Sequence, residues 1–173
     1  MRIVIIGGGR GTRSLLEATW TCAAAGELEV SSITMLLNAY DNGASTGEVR
    51  RLFGILGPSD PRKNLQVLLD PSRPGYTALQ EFFGMRFGQE DDADAGEEEH
   101  LLRAMAEGSP ERLSAYRKGL VFLELPEPFR SLASEGLKQF LAAVGQGGAL
   151  PDYRDFSVAN AVFAGLAGPG GSL

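Results

Sequence analysis

The stretch Ile3-Val4-Ile5-Ile6-Gly7-Gly8-Gly9-Arg10-Gly11-Thr12 decides the fold. Four consecutive β-branched apolar residues suit a strand covered on both faces, as in a parallel sheet. The glycines behind them let the backbone turn tightly and approach a ligand without a Cβ in the way. Thr12 then opens a helical stretch to about residue 25, where Gly26 is a natural stop. A second apolar run at residues 33–37 completes strand–helix–strand, a βαβ unit whose crossover is right-handed.

The glycine turn carries chemistry as well as shape. Unsatisfied N–H groups and the positive end of the helix dipole favour an anion there, which makes Gly8, Gly9, Arg10, Gly11 and Thr12 candidate phosphate ligands. A tight turn with no ligand is the other reading. A Walker A loop needs Gly-Lys-Ser/Thr, whereas Thr12 and Arg13 follow Gly11. The dinucleotide fingerprint needs a third small residue for helix packing, and Thr12 or Ser14 falls there.

Two further loops should border the same crevice, because neighbouring strand ends in an open α/β sheet share one. The first is Asn38-Ala39-Tyr40-Asp41-Asn42-Gly43-Ala44-Ser45-Thr46-Gly47. Asp41 and Asn42 can hold a ribose hydroxyl or a hydrated cation, or simply cap a turn. Ser45 and Thr46 can donate to phosphate oxygens. The second is Gly57-Pro58-Ser59-Asp60-Pro61-Arg62-Lys63-Asn64, which reads as a helix start capped by Ser59 or Asp60. There Arg62 suits phosphate, Asn64 adds a polar contact, and Asp60 suits a magnesium ion or a substrate hydroxyl. Asn160 sits early in an otherwise apolar helix and needs partners from the protein or from a ligand.

Beyond residue 40 the chain reads as helices at residues 62–69, 76–87, 100–106, 110–123, 132–144 and 156–166, with a third strand conceivable at 119–125. Two strands alone do not make an independent sheet. Together with the glycine-rich end at residues 167–173, this gives the expectation that the chain is the front part of a longer fold. The acidic run at residues 89–99 reads as a solvated loop and helix start, since its spacing matches no calcium loop.

Composition limits the alternatives. The 173 residues, 43% hydrophobic and 22% charged, are those of one globular domain, taken as residues 1–173. A net charge of −6 and a pI near 4.9 argue against nucleic-acid or anionic-membrane partners, which need clustered Lys and Arg. No segment has the apolar length to cross a bilayer, and residues 1–6 are too brief for a signal peptide, so a cytoplasmic location is expected. The single cysteine, Cys22, excludes a disulfide framework and reads as a small buried thiol. The single histidine, His100, follows the acidic run and reads as a surface residue.

Four segments together resemble the family that contains 2-phospho-L-lactate transferase (CofD) and the YvcK-type gluconeogenesis factors. They are GGGRG at 7–11, YDNGASTGEVR at 40–50, GPSDPRKN at 57–64 and SVANAVFAGL at 157–166. Their order and spacing are similar to the family's GGGTG, ADDGGSSGRLR, PPGDxRN and SxGNxxLAGL. The resemblance implies a doubly wound, largely parallel Rossmann-like α/β sheet, of which this chain is the N-terminal part. The transferase branch implies a magnesium-dependent transfer of a phospholactyl group to a deazaflavin alcohol, with release of a guanine nucleotide. The YvcK branch implies regulatory binding of nucleotide sugars without chemistry.

On the transferase reading Asp60 and Asp41 are the catalytic and magnesium-binding residues. Gly8, Gly9, Arg10, Gly11, Thr12, Asn42, Ser45, Thr46, Arg62, Asn64 and Asn160 hold the nucleotide, nucleotide sugar or phosphoester. The sequence departs from the family at Arg10, where threonine is usual, at Asn42, where a second acid is usual, and at Asn64, one position late. Sheet edges left by a shortened fold would invite pairing of copies into a homo-oligomer.

Overall fold

The computed structural model describes residues 1–7, 10–37, 43–88, 97–147 and 151–169, with backbone alone for Arg10, Ala44, Asp60 and Gly147. The βαβ unit forms as the sequence predicts. β1 (Arg2–Gly7) and β2 (Ser32–Leu37) lie parallel, in register from Arg2 opposite Ser32 to Gly7 opposite Leu37. Between them α1 (Arg10–Ala24) packs on one sheet face through Leu16, against Ile5 and its neighbours. α1 starts two residues earlier than the position of Thr12 suggested, leaving only Gly8 and Gly9 between strand and helix. Gly7 has φ +156, and a Cβ there would lie 2.5 Å from the Thr12 hydroxyl oxygen. Glycine at this place is what lets Thr12 fold back over the turn, where it is buried.

The rest is mainly helical. α2 (Ala44–Phe53), α3 (Ser59–Val67), α4 (Tyr76–Gly84), α5 (Glu98–Glu107), α6 (Pro110–Leu113), α7 (Arg117–Leu123), α8 (Phe129–Gly147) and α9 (Val158–Ala167) surround a second small sheet. That sheet pairs β3 (Arg86–Phe87) antiparallel with β4 (Phe156–Ser157). A mixed α/β fold is therefore present. The expected doubly wound parallel sheet is not among the described residues, which hold two separate two-stranded sheets.

The apolar core sits in the helical part, where Phe82, Phe122, Phe140 and Phe156 are fully buried. Phe53 stacks on Phe140 with ring centroids 5.3 Å apart. α8 and α9 approach so closely that a Cβ on Gly165 would lie 1.8 Å from the Gly136 carbonyl oxygen. Gly165, part of the fourth motif, is thus required by helix packing.

Several sequence expectations are corrected. Residues 119–125 supply no strand; residues 117–123 form α7, whose buried Gly119 and Phe122 recur at helical spacing. The expected helix at 110–123 breaks after α6. The helix from residue 76 stops at Gly84, and residues 86–87 join the β4 pair. α2 begins at Ala44, inside the stretch expected to be loop, although Ser45, Thr46 and Gly47 are weak helix formers. Tertiary contact overrides that weakness, since Thr46, Val49 and Phe53 share a buried stripe. Gly54, in the left-handed region, caps the helix by donating to Arg50 O.

The acidic run at 89–96 lies outside the described residues, and Glu98 and Glu99 begin α5. Cys22 is half-buried, and its hydrogen bond with Glu27 raises its pKa, which keeps it a thiol. His100 is exposed, as expected. Among the described residues no helix is long and apolar enough to cross a membrane.

Candidate functional site

The N-termini of three helices meet in one buried polar hub. α2 brings Ser45 and Thr46 in its first turn, α3 brings Ser59 as its first residue, and α9 brings its N-cap Ser157 and, in its first turn, Asn160. Asn160 is 0% exposed, and its amide nitrogen donates to Ser45 Oγ at 3.1 Å and to Ser59 Oγ at 3.2 Å. The Ser157 backbone N–H also donates to Ser45 Oγ, at 2.9 Å. Thr46 Oγ1 and Ser59 Oγ share a short hydrogen bond.

Ser59 is therefore not the cap foreseen from the sequence. Pro58 is the N-cap of α3, with no side-chain cap bond, and the Ser59 hydroxyl turns inward to the hub. Among the described residues, Ser157 Oγ and Asn160 Oδ1 have no hydrogen-bond partner. Buried polar atoms normally find one, so the hub is built around groups that its own side chains do not satisfy.

Arg62 stands in the first turn of α3 and is 4% exposed. One guanidinium nitrogen, Nη1, donates to the Phe83 carbonyl, while Nε has no partner among the described residues. Burial first, then the nearby cations Arg86 and Arg13, lower its pKa to about 10 against the opposing pull of Asp155. Arg86 in turn is held by Asp155, 2.9 Å from Nη1 to the carboxylate and 2.8 Å to the backbone carbonyl. Asp155 takes a left-handed φ of 50, an uncommon backbone state for a non-glycine residue. Among the described residues, three arginines and one carboxylate leave an excess of positive charge, to which the helix ends of α2 and α9, with no acid in their first turns, add.

The candidate residues distribute as follows. Ser45, Thr46 and Asn160 are joined directly, and Arg62 and the buried Asn64 lie on α3, which Ser59 ties to them. Thr12 and the exposed Gly11 lie in the first turn of α1, which packs on α3. Gly8, Gly9, Asp41 and Asn42 lie outside the described residues, as do the side chains of Arg10 and Asp60. Sequence reasoning missed Ser157, Arg86 and Asp155. The signal for Ser157 was its place three residues before Asn160, the spacing of a helix N-cap.

A βαβ unit followed by helices whose positive ends meet in a buried polar hub makes this a mixed α/β protein with a candidate anion site. Residues 3–116 match the family of 2-phospho-L-lactate transferase CofD. The chain belongs to the CofD family. It is also 37% identical over 86 residues to a protein of Nostoc sp. named "Putative gluconeogenesis factor", over half of this chain and 16% of that protein's length. No solved structure matches the chain.

Proposed function

We propose that the chain binds a nucleotide or nucleotide sugar by its diphosphate, as a CofD-related protein. The observation that carries this reading is the meeting of the α2, α3 and α9 N-termini, with Arg62, a buried cation whose Nε has no partner among the described residues, in the first turn of α3. Helix N-termini favour anions, and an arginine fork matches phosphate oxygens. Glycine-turn amides of Gly8, Gly9 and Gly11 with Thr12 hold one phosphate, and Arg62 with Ser45 the other. Family membership supports a phosphoester ligand. On the same reading β1–α1–β2 is the first crossover of a doubly wound sheet, within one domain spanning residues 1–173.

Magnesium is the cation this proposal names. The described residues contain no cluster of three metal-binding side chains. Magnesium does not need one, because one or two carboxylates plus substrate phosphates and water suffice. Asp60, next to Ser59 at the start of α3, and Asp41 after β2 supply those carboxylates. Bound there, the ion would neutralise charge on a transferring phosphoryl group. Phosphoester transfer to an alcohol of the 2-phospho-L-lactate type is the chemistry such a site serves.

A second reading, a non-catalytic sensor of the YvcK type, is favoured by Asn42, which stands where the family segment has a second acid. The Nostoc relative's name supports the same branch.

Thermal melting against UDP-sugars, guanine nucleotides and a deazaflavin alcohol, with and without magnesium, tests the proposal. Ligand at a hundred times its dissociation constant adds about 2.7 kcal/mol to stability. A magnesium-dependent shift with a guanine nucleotide, followed by turnover, supports the transferase. A UDP-sugar shift without consumption supports the sensor. No shift with any of them overturns diphosphate binding.

A further inference from the structure

The geometry points to Asn160 as a positioning residue that presents the helix ends to the anion without touching it, an inference that rests on the diphosphate reading above. The side chain is 0% exposed, so no solvent-sized group reaches it. Both hydrogens of its amide nitrogen are committed, one to Ser45 Oγ on α2 and one to Ser59 Oγ on α3. Those two helices start 15 residues apart, and their N-termini are held together by the Thr46–Ser59 hydrogen bond and, from α9, by Asn160. Asn160 is the side chain that bonds to both.

The bonds also fix which way hydrogens point. An amide nitrogen donates only, so both hydroxyl oxygens must accept from it. Ser45 Oγ accepts a second time, from the Ser157 N–H, which occupies both its lone pairs. The one role left to Ser45 is to donate its own hydrogen. Asn160 and the start of α9 thereby convert a hydroxyl of either polarity into a fixed donor, the polarity an anion requires. Bonds in such a chain also polarise one another in a buried setting.

The network links segments more than 100 residues apart in sequence, and the fourth motif contributes two parts with separate tasks. Gly165 allows α9 to lie against α8, and Asn160 uses the position so gained to set α2 and α3.

The test compares the wild-type chain with Asn160→Ala, Ser45→Ala, the Asn160→Ala/Ser45→Ala double variant and the milder Ser59→Ala. Amide hydrogen exchange reads positioning without any ligand. Asn160→Ala should lose protection at the Gly47 and Arg62 amides, which donate to Gly43 O and Pro58 O in the first turns of α2 and α3. Amides inside α8 should keep theirs. If Asn160→Ala does not fold, Ser59→Ala decides the matter through the Arg62 amide, with Thr46→Val separating the Thr46–Ser59 bond from the Asn160–Ser59 bond. Unchanged protection at these amides overturns the inference.

Inorganic pyrophosphate, followed by its effect on melting, reads the consequence. Its affinity should fall about tenfold or more in Asn160→Ala, in line with the effect of an ångström-scale misplacement. The double variant should lose less than the sum of the two single losses, since both act through the Ser45 hydroxyl while Asn160 also bonds Ser59. Additive losses would overturn the role assigned to Asn160. Absence of any pyrophosphate shift in the wild type would instead remove the anion site itself, while the exchange measurement still decides whether Asn160 positions the helices.

Discussion

A guanidinium that is 4% exposed and donates to one described carbonyl destabilises the fold around it. The pKa of Arg62, lowered to about 10 by burial and by the neighbouring arginines, corresponds to a penalty on the order of 3 kcal/mol. Because the folded value lies below the unfolded one, the penalty is present in full below pH 10 and relaxes as pH rises through that value. A ligand anion would answer the same charge. Arg62→Met, similar in length and apolar, is therefore expected to melt no lower than the wild type at pH 7 and to lose the stabilisation by pyrophosphate. Urea denaturation with and without pyrophosphate checks both halves. A loss of about 3 kcal/mol or more in the absence of ligand would show that the arginine is paired within the fold. Asn160 stood out in the sequence because an amide in an apolar helix needs partners, and Arg62, Ser45 and Thr46 because their groups suit phosphate oxygens. Which partner each takes was not legible: Ser59 reads as a cap, and only the spatial position of α9 draws its hydroxyl inward.

Helices follow the same division. The βαβ unit was readable from two apolar runs and the glycines that follow β1 and α1, which ends at Ala24 just before Gly26. α2 was not, because its first turn is made of weak helix formers held in place by packing against α9, α8 and β4. The pairing of β3 with β4 escaped notice because two residues per strand carry no period. Gly136 and Gly165 show what element packing demands. Adding a methyl at residue 165 forces α8 and α9 apart, so Gly165→Ala is expected to destabilise by about 1–3 kcal/mol. Gly145, also in α8, has nothing within 4 Å of its would-be Cβ. Gly145→Ala should then stabilise by about 0.5–1 kcal/mol through helix propensity alone. Paired urea titrations distinguish the two, and equal effects would disprove the close approach of α8 and α9.

The whole molecule divides its apolar surface unevenly. The helical part encloses its core, whereas the β1–β2 sheet has α1 on one face and leaves Val4, Ile6 and Leu36 on the other at 59%, 77% and 54% exposure. Ile6 and Leu36 are opposite one another in the register, so these side chains form a continuous patch. Two strands are marginal by themselves, and an uncovered apolar face with open edges promotes association. Alternation along β1 lets the two faces be tested separately. Ile6→Thr with Leu36→Thr keeps residues suited to strands while removing the patch, and should leave the melting temperature unchanged and reduce self-association in sedimentation velocity. Ile5→Ala lies on the α1 face at 3% exposure and should destabilise the βαβ unit by about 2–5 kcal/mol. Hydrogen exchange in Arg2–Gly7 would register that loss even if the helical core stays folded. If the double threonine variant instead melts well below the wild type, Val4, Ile6 and Leu36 are already packed against something in solution, and the sheet is not bare.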